Sequence, residues 1–218
     1  MLFRSYIFAS NIPEIVPFIA FVLFKIPLPL TVMQILAVDL GTDMVPALGL
    51  GAELPEPGIM DKPPRLRTER LLDLSLLIRA YCFLGPIEAT ACMAGFFFIY
   101  YQNGWVPGME MQDSGVVYLA ATTMSLAGII ATQIGNVFAC KTERGSVFKV
   151  GFFNNKLVLV GIASELAIIS ALIYIPFLQR IFGLAPIGLR EWGFLFAFTP
   201  ILFLMEEVRK WIVRKWKK

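Results

Sequence analysis

The sequence contains no histidine. That excludes Ser-His-Asp and Cys-His nucleophile systems, histidine metal sites and histidine pH switches. Cysteine is scarce. Cys82, Cys92 and Cys140 stand far apart with no C-x-x-C pair. Each reads as a small apolar residue in a membrane helix rather than as a thiolate metal site or redox pair. Charge is also low, at 16% of 218 residues, where a soluble domain carries roughly 25%. There is no internal repeat, no low-complexity segment and no Gly-rich phosphate loop. The net charge is a modest +3, and no nucleic-acid partner is expected.

What remains is apolar. Hydrophobic residues make up 57% of the chain, and mean hydropathy is +0.72. Six stretches reach the roughly 20 apolar residues a membrane crossing needs. They run 3–24, 30–50, 76–101, 116–140, 157–176 and 192–213. Backbone at membrane depth must satisfy its own hydrogen bonds, so these read as helices. The expectation is an all-α fold: one domain, 1–218, forming a polytopic bundle of six transmembrane helices. Of the 19 basic residues, only Lys25, Arg180 and Arg190 fall on one side. The positive-inside rule then puts both termini in the cytoplasm. The basic tail with Trp211 and Trp216 reads as part of that signal, or as an interfacial anchor. Asn11 and Glu14 interrupt the first apolar run and no clean cleavage site follows, so it reads as a mature helix rather than a signal peptide. Lys25–Pro29 is a tight proline turn on the outer side, joining the first two spans as a hairpin. Stretch 51–72 is a long cytoplasmic loop, and 102–115 a short polar outer loop.

Ionisable groups inside such spans are costly, about 2.5–3.5 kcal/mol each at the bilayer centre on insertion scales, and by default mark function. Asn11 and Glu14 are three residues apart in the first span. Asp39 and Asp43 are four apart in the second, with Thr42 between. Each pair is expected on one helical face. Carboxylates, an amide and a hydroxyl converging across a hairpin describe a site for a hard monovalent or divalent cation, with Asn11, Glu14, Asp39 and Asp43 as metal ligands. Pro13 removes the amide that would bond the Ala9 carbonyl, and Gly41 and Pro46 bracket the acidic pair. Broken helices of this kind free carbonyls for ions. The competing reading is polar contact between helices, but three carboxylates exceed what such contact needs. Gln133, Asn136 and Glu165 are weaker candidates. Glu88, alone beside Pro86, is evenly balanced between the two readings.

Ser10-Asn11-Ile12-Pro13-Glu14-Ile15, Ile26-Pro27-Leu28-Pro29-Leu30 and Val38-Asp39-Leu40-Gly41-Thr42-Asp43-Met44-Val45-Pro46-Ala47 together resemble the type II P-type cation-transporting ATPases. They look like the fifth and sixth transmembrane helices of that family. The stretch from Cys140 to Phe148 resembles the loop after its eighth helix, and Glu207-Val208-Arg209-Lys210 the end of its tenth. The resemblance covers essentially the whole chain and implies the last six helices of a ten-helix pump. It implies that Asn11, Glu14, Asp39, Thr42 and Asp43 coordinate transported cations, with Ser10 adding a further side chain. It also implies a possible additional cation site from Tyr6, Gln133, Asn136 and Glu165. Ala9 and Asn136 depart from the threonine and aspartate of that site in sodium pumps. Asp39, an asparagine in reticulum-type calcium pumps, leans the chain towards sodium pumps. Ser10 is not the lysine of gastric proton pumps. The 53–65 run looks prokaryotic, which implies a prokaryotic plasma membrane.

No D-K-T-G-T or T-G-E motif occurs in the sequence. The resemblance therefore implies no catalytic residue and no cofactor here. ATP and Mg2+ would belong to domains of the intact family. The expected partners are a cation, the lipid bilayer and the N-terminal half of such a pump, with this chain a fragment or a split subunit. The alternative is a free-standing six-helix protein that binds cations or modulates a full pump. Acidic faces turned to lipid would leave the isolated chain poorly stable.

Overall fold

The computed structural model describes residues 2–54, 74–143 and 145–216. Most of the expected loop at 51–72 lies outside these residues. Among the described residues there are helices and no strands. They are α1 (Leu2–Phe24), α2 (Val32–Gly51), α3 (Leu74–Gln102), α4 (Gly115–Cys140), α5 (Val147–Val150), α6 (Lys156–Tyr174), α7 (Pro176–Phe182), α8 (Leu189–Phe196) and α9 (Phe198–Trp216). Five are long and apolar enough to cross a membrane: α1, α2, α3, α4 and α6.

The stretch expected as a sixth span, 192–213, is not one apolar helix. It divides at Ala197 into α8 and α9. Pro200 explains the break. It has no amide hydrogen for the Phe196 carbonyl and its ring crowds that turn, yet it fits the first turn of a new helix. The second half of α9 then carries Glu206, Glu207, Arg209 and Lys210, which removes its apolar character.

The bundle is built around α4. Of its most apolar stretch 67% is buried inside the chain, against 28% for α1. Small residues bring the helices together, as is common where lipid gives no hydrophobic drive. A Cβ at Gly95 would sit 2.8 Å from the Met124 carbonyl oxygen, fixing α3 against α4. A Cβ at Gly161 would sit 2.7 Å from Pro46 Cα, fixing α6 against α2. At Gly135 it would lie 2.5 Å from the Thr199 carbonyl oxygen, where α9 crosses α4.

The α1–α2 connection is the expected hairpin turn. Thr31 caps α2 and exchanges hydrogen bonds with Gln34. Two helices then widen locally into π-helical turns, Ala37–Thr42 in α2 and Ile78–Leu84 in α3. In α2 the Asp43 amide bonds Val38, five residues back, at 2.9 Å. In α3 the Gly85 amide likewise bonds Ala80. A proline follows each turn, Pro46 and Pro86, and neither can continue the i→i−4 ladder. Such turns concentrate at functional sites.

Candidate functional site

Four helices meet at one polar node. Ser10 Oγ on α1 donates to Asp43 Oδ2 on α2 at 2.5 Å. Tyr6, one turn earlier, donates its hydroxyl to Glu165 Oε1 on α6 at 3.0 Å, with Asp43 Oδ1 at 3.4 Å. Gln133 Nε2 on α4 donates to Ser10 Oγ at 2.7 Å. All five side chains are buried, Asp43 at 6% exposure being the most open. Two expected sets therefore share one centre. Tyr6, Gln133 and Glu165 reach the same oxygens as Ser10 and Asp43.

Three more of the expected set are more open. Asn11 and Glu14 are half-buried and Asp39 is exposed. Glu14 faces Asp39 and Asp43, and its Oε1 has no hydrogen-bond partner. Asp39 and Asp43 do not share one face, contrary to the expectation from their spacing. The π-helical turn carries an extra residue, so Asp43 swings inward while Asp39 stays out. Thr42 is buried, and its hydroxyl donates back to the Val38 carbonyl at 3.1 Å. Among the described residues no three cysteine or acidic side chains close up into a chelating group. The oxygens on offer are mixed: carboxylates, hydroxyls and amides.

Glu88 was evenly balanced in the sequence because it stood alone in its helix. In the fold it is not alone. It is fully buried and faces Asn136, with Asp43, Glu165 and Glu14 around it. Neither of its oxygens has a hydrogen-bond partner. Its only signal in the sequence was that of a lone acid in an apolar span. Asn136, also buried, accepts a hydrogen bond from Cys140 Sγ at 3.2 Å.

A second polar cluster braces the C-terminal end of α4, within two turns of Asn136. Arg79 in the α3 π-helical turn pairs with Glu206 on α9 at 2.7 Å, with both side chains buried. Lys210 is fully buried. It donates to the Ala139 carbonyl at 2.8 Å and to Thr142 Oγ1 at 2.8 Å, and pairs with Glu207 at 3.1 Å. Glu207 in turn accepts from Ser146 Oγ and the Val147 amide, at 2.6 Å and 3.2 Å. So Lys210, counted in the sequence within a basic tail, is an internal brace. In the neighbouring loop Lys141 bonds the Gly151 and Phe152 carbonyls and Asn154. Glu53 lies 3.8 Å away. Burial holds the Lys141 ammonium below the usual lysine range, with Glu53 pulling the other way.

An all-helical membrane protein with an oxygen-lined node between its spans is the class these features define. The chain belongs to the family described as "Cation transporting ATPase, C-terminus", which matches residues 27–212. It is similar to sodium/potassium-transporting ATPase subunit alpha-2 of Homo sapiens, 34% identical over 237 aligned positions. That alignment covers 97% of this chain and 23% of the relative. Subunit alpha-3 of Rattus norvegicus is also 34% identical, over 236 positions with the same coverage. The chain thus spans about a quarter of the length of these curated relatives.

Proposed function

We propose that this chain is the cation-carrying membrane part of an ATP-driven P-type pump. The observation that carries the reading is the convergence of Tyr6, Ser10, Asp43, Gln133 and Glu165 from four helices at one buried node. Asp43 is the central ligand, with Ser10 and Gln133 holding its geometry. Asn11, Glu14, Asp39 and Thr42 complete the shell on the outer side. The α2 π-helical turn supports this role, since it spends backbone bonds to turn Asp43 inward. Similarity to sodium/potassium-transporting subunits favours a monovalent cation.

The exposed Asp39 supports a partner. A carboxylate left against hydrocarbon costs about 2.5–3.5 kcal/mol on insertion scales. Protein therefore covers it, and the N-terminal helices of a P-type pump are the natural cover. Those segments would also handle ATP and Mg2+. The α8–α9 pair makes the sixth crossing, with both termini cytoplasmic in a prokaryotic plasma membrane. Co-expression with a partner bearing D-K-T-G-T tests the proposal. Cation-dependent phosphorylation of the partner, lost on Asp43→Asn, is the expected result. Phosphorylation indifferent to cation and to Asp43 would overturn it.

A further inference from the structure

The short loop between α3 and α4 is folded around one ring. Trp105 stacks on Phe97 with ring centroids 5.8 Å apart, and meets Tyr100 and Tyr101 roughly edge-on at 6.4 Å and 5.3 Å. Its indole nitrogen donates to the Met109 carbonyl at 2.9 Å. The Tyr100 hydroxyl donates to the Gln112 carbonyl. Gly104 and Gly108 take φ of 83° and 102°, a region open to glycine at little cost, and this lets the loop turn twice. A cavity of about 200 Å³ is left, with Tyr100, Asn103, Trp105, Met109, Glu110 and Val117 on its lining. Pockets for drug-sized molecules run to roughly 300–1,000 Å³, so this one suits a smaller group.

The lining selects the sign of its ligand. The Tyr100 and Trp105 donors are spent inside the loop, and the Asn103 amide nitrogen donates to the Ile99 carbonyl at 2.8 Å. The Asn103 oxygen and the exposed Glu110 carboxylate remain as acceptors. Glu110 makes no ion pair among the described residues. Asp113 adds a second negative charge, facing Tyr100 and Tyr118. No lysine or arginine occurs from residue 80 to residue 140. A bare metal ion would need more oxygens than this lining holds. An organic ammonium gains from the aromatic rings as well as from the carboxylate.

We infer that the cavity binds a small organic ammonium group, free in solution or carried on a lipid headgroup. Both sources are at hand, because α3 and α4 are long and apolar enough to cross a membrane, which puts the loop joining them at a membrane surface. The site lies at the other end of α4 from the Arg79–Lys210 cluster and draws no residue from the node at Asp43.

The test is equilibrium dialysis of the full 218-residue chain in phosphatidylglycerol nanodiscs, which supply no ammonium, with tritiated ethanolamine. Saturable binding of one molecule per chain is expected. Ethylene glycol, similar in size but uncharged, is expected not to compete, and competition by it would overturn the inference. Glu110→Gln should weaken binding about threefold and Trp105→Leu about tenfold. Wild-type affinity in both variants overturns the site. Should Trp105→Leu not fold, Glu110→Lys replaces it, since Glu110 is exposed and a cation there is expected to abolish binding. Phosphatidylethanolamine nanodiscs separate the two sources. Loss of the tritium signal in them assigns the site to the headgroup, and unchanged binding assigns it to a free amine. If the free amine does not bind, native mass spectrometry decides. Preferential retention of phosphatidylethanolamine, reduced in Glu110→Gln, upholds the headgroup, and retention equal to that of phosphatidylglycerol overturns the inference.

Discussion

The inner and outer sides of the polar node are built differently. On the inner side Tyr6, Ser10, Asp43, Gln133 and Glu165 bond to one another behind packed helices. On the outer side Glu14 keeps an unpartnered oxygen and Asp39 is exposed. Both sides draw on α1 and α2, with Tyr6, Ser10 and Asp43 on the inner side and Asn11, Glu14 and Asp39 on the outer. What separates them is what lies opposite. The inner side meets α4 and α6, brought close by glycines. On the outer side Glu14 faces Asp39 and Asp43, and Asp39 stays exposed. Geometry within this chain thus presets the inner half of the node, while Asp39 is left exposed.

The contrast can be broken most forcefully at its frame. Arg79→Met takes from the fully buried Glu206 one of its two basic partners, Arg209 staying at 2.6 Å, and removes a donor from the Ala139 carbonyl, so the cost approaches the roughly 3–5 kcal/mol of a broken buried pair. A marked fall in detergent melting temperature is expected, partly recovered by the double variant Arg79→Met/Glu206→Met, which removes both charges of the Arg79–Glu206 pair but takes the carboxylate from Arg209. A neutral single variant would show that the brace does not hold the inner side.

The next effect compares the two aspartates. Asp43→Asn removes a buried, bonded carboxylate, and cation affinity should fall by about 100-fold, close to 3 kcal/mol. Asp39→Asn on the exposed side should cost only about tenfold. Dialysis with 22Na+ measures both, and equal losses would erase the distinction between the sides. Stability gives a smaller contrast. Gly135→Ala forces a methyl group against the Thr199 carbonyl and should cost about 1–3 kcal/mol. Gly51→Ala, with nothing within 4 Å of its Cβ position, should leave the thermal midpoint nearly unchanged. Among the site residues the smallest effect belongs to Thr42→Val. It keeps the shape but removes a hydroxyl already bonded to Val38, so about 1 kcal/mol, or roughly fivefold in affinity, is expected.

Much of this was legible in the residue pattern. Acids and amides inside apolar runs pointed to Glu14 and Asp43, and more weakly to Gln133 and Glu165, because such groups are costly in a membrane. The α1–α2 hairpin followed from the prolines at its turn. The division of the last stretch was also signalled, by Pro200 and the charges after it, but the count of apolar residues outweighed them. Less was visible where register mattered. Regular helical spacing put Asp39 and Asp43 on one face, and the π-helical turn separated them.

The sequence by itself determined that the chain is helical and membrane-embedded, and which side chains are too polar for their surroundings. Those properties are local, set by composition and by the hydrogen-bonding demands of backbone in lipid. Only the tertiary structure decided which of those side chains meet. It joined Tyr6 to Glu165 across 159 residues, brought Glu88 to Asn136 and left Asp39 outside. These meetings depend on how closely helices approach at Gly95, Gly135 and Gly161. Close packing between distant segments is a property of the pairs, and no single stretch carries it.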